Sequence, residues 1–153
     1  MIPEKEPVRV YLILGSNMGD RKRNLRIAVS LLVTELAPYL FSDVQESEIL
    51  ENEPWGFQCD TPFCNQAISF ETTCPPEPLL EVCKYVERKM GRSDSVPEYD
   101  ADGHRVYHSR IIDIDIVLYG DRTVDLPHLK IPHPQIEERD YAKTLISQLL
   151  QKG

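Results

Sequence analysis

The stretch Ile111-Ile112-Asp113-Ile114-Asp115-Ile116-Val117-Leu118-Tyr119 constrains the chain more than any other. β-Branched residues dominate it, and its first half alternates between apolar and acidic. Such alternation marks a strand, because successive side chains leave on opposite faces. Ile112, Ile114 and Ile116 therefore form a core face, and Asp113 and Asp115 share the other. Two like charges placed so closely on one strand repel. A cation between them removes that cost, and carboxylate oxygens suit Mg²⁺, which takes one or two carboxylates together with phosphate oxygens and water. Read alone, a D-x-D pair is equally a solvent-facing polar edge.

The rest of the chain supplies partners for this strand. Val8 to Leu14 reads as a buried strand that runs into the turn Gly15–Asp20. Leu25, Ala28, Val29, Leu32 and Leu36 recur at helical spacing, so Arg21 to Leu36 is an amphipathic helix ended by Pro38. Tyr39 to Leu50 is expected as a strand, Glu51 to Pro62 as a loop and Phe63 to Phe70 as another strand. Pro75, Pro76 and Pro78 open a second helix that carries Leu79, Val82, Cys83, Val86 and Met90 and stops at Gly91. Ser93 to Arg110 is a long polar connection, of the kind that is often functional. After the Asp strand, Thr123 to Leu126 pairs back, Leu126 to Pro134 is irregular, and Glu137 to Leu150 is a last helix. The order β-α-β-β-α-β, then a small hairpin and a C-terminal helix, is the α+β, ferredoxin-like pattern of an antiparallel sheet with helices on one face.

A chain of 153 residues, 41% hydrophobic, suits one domain over residues 1–153. Its net charge of -8 argues against general nucleic-acid binding, which needs a basic face. Of four cysteines no two have C-x-x-C spacing, and no His cluster accompanies them, so reduced thiols in the cytoplasm are expected. The charged start MIPEKE has no signal core, and no apolar run approaches the roughly 20 residues of a membrane span.

Several residues around the Asp strand are chemically suggestive. Arg110 could neutralise phosphate charge, or simply pair with one of the aspartates. Arg92 opens the same polar connection and by itself is more readily a solvated surface residue. Gly15-Ser16-Asn17 lets a ligand approach the backbone, or is an ordinary strand-to-helix turn; it is not a P-loop. Trp55 and Phe57 can stack on a flat heterocycle while Asn65, after Phe63, offers donors and an acceptor to its edge; Phe63 as core and Asn65 as a polar strand residue is the plainer reading. His133, stiffened between Pro132 and Pro134 and followed by Arg139, is a phosphate contact or a turn histidine. His104, His108 and His128 lack metal-ligand spacing.

Taken in order, GSN-x-G-D, E-P-W-G-F, F-C-N-Q-A, S-R-I-I-D-I-D-I-V-L-Y-G and I-P-H-P with a later Arg form a series that spans about Tyr11 to Tyr141. It resembles the 6-hydroxymethyl-7,8-dihydropterin pyrophosphokinase family of folate biosynthesis. The resemblance implies diphosphate transfer from ATP to a reduced pterin alcohol, with release of AMP, on a ferredoxin-like α+β domain. It implies that Asp113 and Asp115 hold two Mg²⁺ ions and that Arg92 and Arg110 approach the triphosphate. Tyr107, Ile116, His128, Lys130, His133 and Arg139 join Arg92 and Arg110 as ATP contacts. Gly15, Asn52, Glu53, Trp55, Phe63, Asn65 and Tyr141 are the implied pterin side, and Glu87 is an acidic position near the base of the polar connection. The partners are then two small molecules, with no nucleic acid, no membrane and a monomeric chain. The chain departs from the family pattern in the acidic composition of residues 93–106, where only Arg105 is basic, in Gln135 where a basic residue often follows P-H-P, and in a short segment after Tyr141. A different D-x-D transferase and a non-catalytic, nucleotide-binding relative stand as the alternatives.

Overall fold

The computed structural model describes residues 1–52, 62–91, 98–99, 101, 105–106 and 111–152. Its elements run β1 (Val8–Ser16), α1 (Arg21–Leu36), β2 (Gln45–Glu46), β3 (Leu50–Asn52), β4 (Phe63–Thr72), α2 (Pro76–Lys89), β5 (Glu98–Tyr99), β6 (Arg105–Val106), β7 (Asp113–Tyr119), β8 (Val124–Leu126), β9 (Leu129–Ile131), α3 (Gln135–Glu138) and α4 (Asp140–Lys152). β1 lies at the centre of the main sheet. It pairs antiparallel with β4 from Val8↔Thr72 to Ser16↔Cys64 and with β7 from Val10↔Tyr119 to Gly15↔Asp113. β2 and β3 both pair antiparallel with the outer edge of β4. Taken as one interrupted strand, they complete the spatial order second, third, first, fourth, with every neighbour antiparallel. The α+β architecture expected from the sequence is therefore present.

Both faces of this sheet are covered. Val10, Leu12 and Leu14 of β1, Ile68 and Phe70 of β4, and Ile114 and Ile116 of β7 pack against Leu25, Leu32 and Leu36 of α1 and Leu79, Cys83 and Val86 of α2. On the other face Ile13, Ala67 and Val117 pack against Ala142, Leu145, Ile146 and Leu149 of α4. The expectation of helices on one face holds for α1 and α2, whereas α4 takes the opposite one. The physical reason lies in β1, where Val10, Leu12 and Leu14 on one face and Tyr11 and Ile13 on the other are apolar, so that neither face can be left in water. The β1–β7 register shifts between Tyr11 and Leu12. This bulge turns both Val117 and Leu118 toward the second core and returns Tyr119 to the first.

Other expectations are corrected in detail. Tyr39–Leu50 is not one strand. Ala37–Tyr39 forms a 3-10 turn that includes Pro38. Ser47 then interrupts the ladder, because its Oγ, in place of a main-chain carbonyl, accepts from Ala67 N at 2.9 Å. The supposedly irregular Leu126–Pro134 contains β9, which pairs with β8 as a hairpin and buries Leu129 and Ile131 in the first core. The last helix is broken at Arg139, whose backbone is extended at φ -129° and ψ 118°. Within the long polar connection, Glu98 and Tyr99 pair with Val106 and Arg105. Among the described residues, no helix is long and apolar enough to cross a membrane.

Candidate active site

Three strands converge on one polar row. Gly15 of β1 faces Asn65 of β4 on one side and Asp113 of β7 on the other. One step along, Ile13 stands between Ala67 and Asp115, and from there α4 covers the face. The sheet thus passes from a helix-covered apolar surface to a polar end within one residue pair. Gly15 is required here by space. A Cβ on it would lie 2.8 Å from Asn65 Oδ1 and 3.3 Å from Phe63 Cδ1, so both side chains lean over the glycine.

The turn after β1 is fixed from α1. Asn24 Nδ2 donates to Ser16 Oγ at 3.1 Å and to Met18 O at 2.8 Å. Asp20 caps the helix by accepting from Arg23 N at 3.1 Å. Arg21 Nη1 donates to Pro62 O at 2.8 Å while its Nη2 pairs with Glu51 at 2.7 Å. This single guanidinium therefore ties together the end of the β3–β4 ladder where Phe63 and Asn65 stand.

On the β7 side polar groups from three segments meet: Asp113 and Asp115 of β7, Glu87 of α2, and residues 133–141. β7 is an edge strand, and Glu87 of α2 accepts from the Ile114 N–H at 2.7 Å, which satisfies a main-chain donor between the two aspartates. Burial, the charge of Asp113 and then that of Glu87 raise the Asp115 pKa to about 8, against the pull of its hydrogen bond with Gln135 and of Arg139. His133 is anchored to the same strand through its N–H to Val117 O at 3.0 Å. Its Nδ1 accepts from Gln135 N at 3.1 Å, so the ring proton sits on Nε2, 3.8 Å from Asp115 Oδ1. Burial, and then Arg139, lower the His133 pKa and keep that ring neutral at neutral pH. Gln135 Nε2 donates to Asp115 Oδ2 at 2.9 Å. Arg139 Nη1 donates to Tyr141 Oη at 2.7 Å, and its guanidinium lies 5.9 Å from the centre of that ring. The phenol stays protonated, its pKa raised by burial.

The donor set fits a hard divalent cation. Asp113 and Asp115 lie on one face of one strand, and their mutual repulsion is the kind a cation relieves. Among the described residues no three His, Cys, Asp or Glu side chains form a metal cage. Carboxylate oxygens suit Mg²⁺, whose remaining positions phosphate and water can fill.

The structure thus brings together Gly15, Phe63, Asn65, Asp113, Asp115, His133, Arg139 and Tyr141 of the expected residues. Ile116 turns its side chain into the helix-covered core, which leaves only its main chain for a ligand. His128 and Lys130 sit on the β8–β9 hairpin, where their ionic partners are Glu77 and Asp125. Asn52 ends β3 opposite Phe63. Glu53, Trp55, Arg92, Tyr107 and Arg110 lie outside the described residues. Sequence reading passed over Gln135 as a site residue and gave Glu87 no contact. Glu87 follows Val86 and comes four residues after Cys83, a spacing that sets a carboxylate on the buried side of α2. Nothing local in the sequence distinguishes Gln135.

The antiparallel α+β domain sets paired carboxylates beside an amide and an aromatic wall, residue types that a group-transfer enzyme uses on anionic and heterocyclic substrates. The family model described as 7,8-dihydro-6-hydroxymethylpterin-pyrophosphokinase matches residues 11–151, and the chain belongs to that family. It is 37% identical over 139 residues to the 2-amino-4-hydroxy-6-hydroxymethyldihydropteridine pyrophosphokinase of Porphyromonas gingivalis, covering 90% of this chain and 88% of that one. The protein of the same name from Bacillus subtilis is 31% identical over 142 residues, covering 93% and 78%. That of Aquifex aeolicus is 35% identical over 133 residues, covering 86% and 74%.

Proposed function

We propose that this chain transfers the β,γ-diphosphate of ATP to the hydroxymethyl oxygen of 6-hydroxymethyl-7,8-dihydropterin in folate biosynthesis. The hydroxymethyl oxygen bonds to the β-phosphorus, the bond from that phosphorus to the α-phosphate oxygen breaks, AMP leaves and the hydroxyl proton is lost. One observation carries the reading: Asn65, Gly15 and Asp113 occupy a single row across three adjacent strands. Strands about 4.8 Å apart set the backbones of Asn65 and Asp113 about 10 Å from each other, and the Asn65 amide leans over Gly15 into that span. That span suits a pterin ring held at the amide with its hydroxymethyl arm reaching the phosphates.

The residues divide the work. Asn65 supplies both kinds of hydrogen bond to the ring edge, Gly15 leaves room for the ring, and Phe63 and Tyr141 offer aromatic faces, with Asn52, Glu53 and Trp55 completing that side. Asp113 and Asp115 hold two Mg²⁺ ions, which when bound neutralise phosphate charge and align the attacking oxygen. Arg92, Tyr107, Arg110, Ile116, His128, Lys130, His133 and Arg139 form the nucleotide side, where positioning and charge are what phosphoryl transfer chiefly asks of a protein. The protein acts as a cytoplasmic monomer on these two small molecules, without nucleic acid or membrane.

The test is incubation of the protein with Mg²⁺, ATP and the pterin alcohol, followed by nucleotide analysis. AMP in step with the pterin diphosphate is expected. ADP in its place would assign an ordinary kinase, and binding without turnover would assign a non-catalytic relative.

A further inference from the structure

Gln135 is 2% exposed and lies directly after the Pro132-His133-Pro134 segment. A packing role alone would be met by Leu or Met, because a buried primary amide is costly unless its polar atoms are satisfied. Here they are. Nε2 donates to Asp115 Oδ2 at 2.9 Å, Oε1 accepts from Tyr141 Oη at a longer 3.4 Å, and the main-chain N–H donates to His133 Nδ1 at 3.1 Å. With Asp115 ionised, the form that holds a cation, only one orientation of the amide works. Turned over, Oε1 would face the Asp115 carboxylate, and the amino group would face a hydroxyl that already accepts from Arg139 Nη1 at 2.7 Å. The result is a directed chain of donors from Arg139 through Tyr141 and Gln135 to Asp115. A Lys or Arg at this place would also donate to Asp115, but would set a fixed positive charge against the carboxylate that must hold a cation. The amide donates and leaves that charge in place.

We infer that Gln135 is a positioning residue whose single amide orients Asp115 and Tyr141 together, coupling the cation-holding side of the site to the pterin side. This inference rests on the function proposed above. It sets Gln135 apart from residues that serve one substrate, since loss of the amide removes a hydrogen bond from a carboxylate on one side and from an aromatic hydroxyl on the other.

The test uses equilibrium binding to the intact protein, with Mg²⁺ titrated in the presence of α,β-methylene-ATP and the pterin alcohol titrated separately. Gln135→Leu should weaken Mg²⁺ binding about tenfold, the scale of one lost hydrogen bond to a charged group, and pterin binding about threefold, the scale of a neutral one. Tyr141→Phe should weaken pterin binding about threefold and leave Mg²⁺ binding within about twofold. The double variant should bind pterin no more weakly than Gln135→Leu alone, because both changes cut one chain. Gln135→Met, which keeps length and volume, carries the same expectations should the leucine variant fail to fold. A folded Gln135 variant with either constant within about twofold of the native value, or additive pterin effects, overturns the coupling. Native protein that releases AMP alongside such a result leaves the proposed function standing, whereas native protein that releases none overturns that function itself.

Discussion

At the scale of single residues, the site is a balance between crowding and charge. Gly15 is legible from the sequence as a strand-ending glycine, but the reason for it is lateral: Asn65 and Phe63 from β4 occupy the space a methyl group would need. Gly15→Ala should therefore displace the Asn65 amide, raising the KM for pterin about tenfold and leaving that for ATP within about twofold, in steady-state kinetics with each substrate varied. The melting temperature should also fall, as overpacking costs about 1–3 kcal/mol. Asp115 shows the opposite case, a residue kept against stability. Its pKa is raised in the folded protein by burial and by Asp113 and Glu87, so the stability tied to its protonated form is complete below the ordinary value near 3.8 and is lost as pH rises toward about 8. Asp115→Asn keeps an oxygen for Gln135 Nε2 and removes the charge. The metal-free variant should melt above the native protein by about 5 °C at pH 8, with the gap closing toward pH 4, on the scale of 2–4 °C per kcal/mol for a domain of this size. Calorimetry in EDTA across that range checks this, and turnover of the variant should be lost. An equal gap at both pH values would remove the charge from the explanation.

At the scale of elements, what sequence periodicity specifies and what it leaves open are both visible. α1 begins and ends at Arg21 and Leu36 as read from its apolar spacing, and β7 keeps the alternation that marks its aspartates. The breaks at Ser47 and Arg139 were not legible. The first depends on a serine hydroxyl that finds Ala67 N across the sheet. The second depends on Arg139 and Gln135 reaching Tyr141 and Asp115. Ala67 and Asp115 are each 20 residues from the partner that reaches them, and such pairs leave no local pattern. The Glu87 contact is of the same kind: α2 delivers one carboxylate to the free edge of β7. Glu87→Ala should leave the Ile114 N–H without that acceptor and cost about 1–3 kcal/mol, read from urea unfolding. Glu87→Gln, which keeps an oxygen at the same reach, should cost less. Equal losses in the two variants would show that the carboxylate charge, not the cap, is what β7 needs.

At the scale of the whole molecule, the arrangement of covers decides where chemistry can happen. β1, β4 and β7 each contribute to both cores, Leu12 and Ile13, Ile68 and Ala67, Ile116 and Val117 being neighbours in sequence that point to opposite faces. Neither core can therefore come apart without the other, and α4 cannot leave without exposing Ile13, Ala67 and Val117. The element order led to helices on one face of the sheet; that α4 takes the second face was not in the pattern, because an amphipathic helix fits either. The row Asn65, Gly15 and Asp113 lies one residue pair beyond Ala67, Ile13 and Asp115, so the site stands where the apolar part of the second face ends. One consequence is measurable. Thermal unfolding of the metal-free protein should be a single transition, with calorimetric and van't Hoff enthalpies equal and with circular dichroism in the near and far ultraviolet coinciding. Leu145→Ala, which opens a cavity under α4, should cost about 2–5 kcal/mol and move both signals together. Near-ultraviolet loss ahead of far-ultraviolet loss in that variant would mean that α4 docks as a separate unit. The carboxylates of β7 would then be held by the first core alone, and the sheet would no longer be the single frame that aligns the pterin side with the phosphate side.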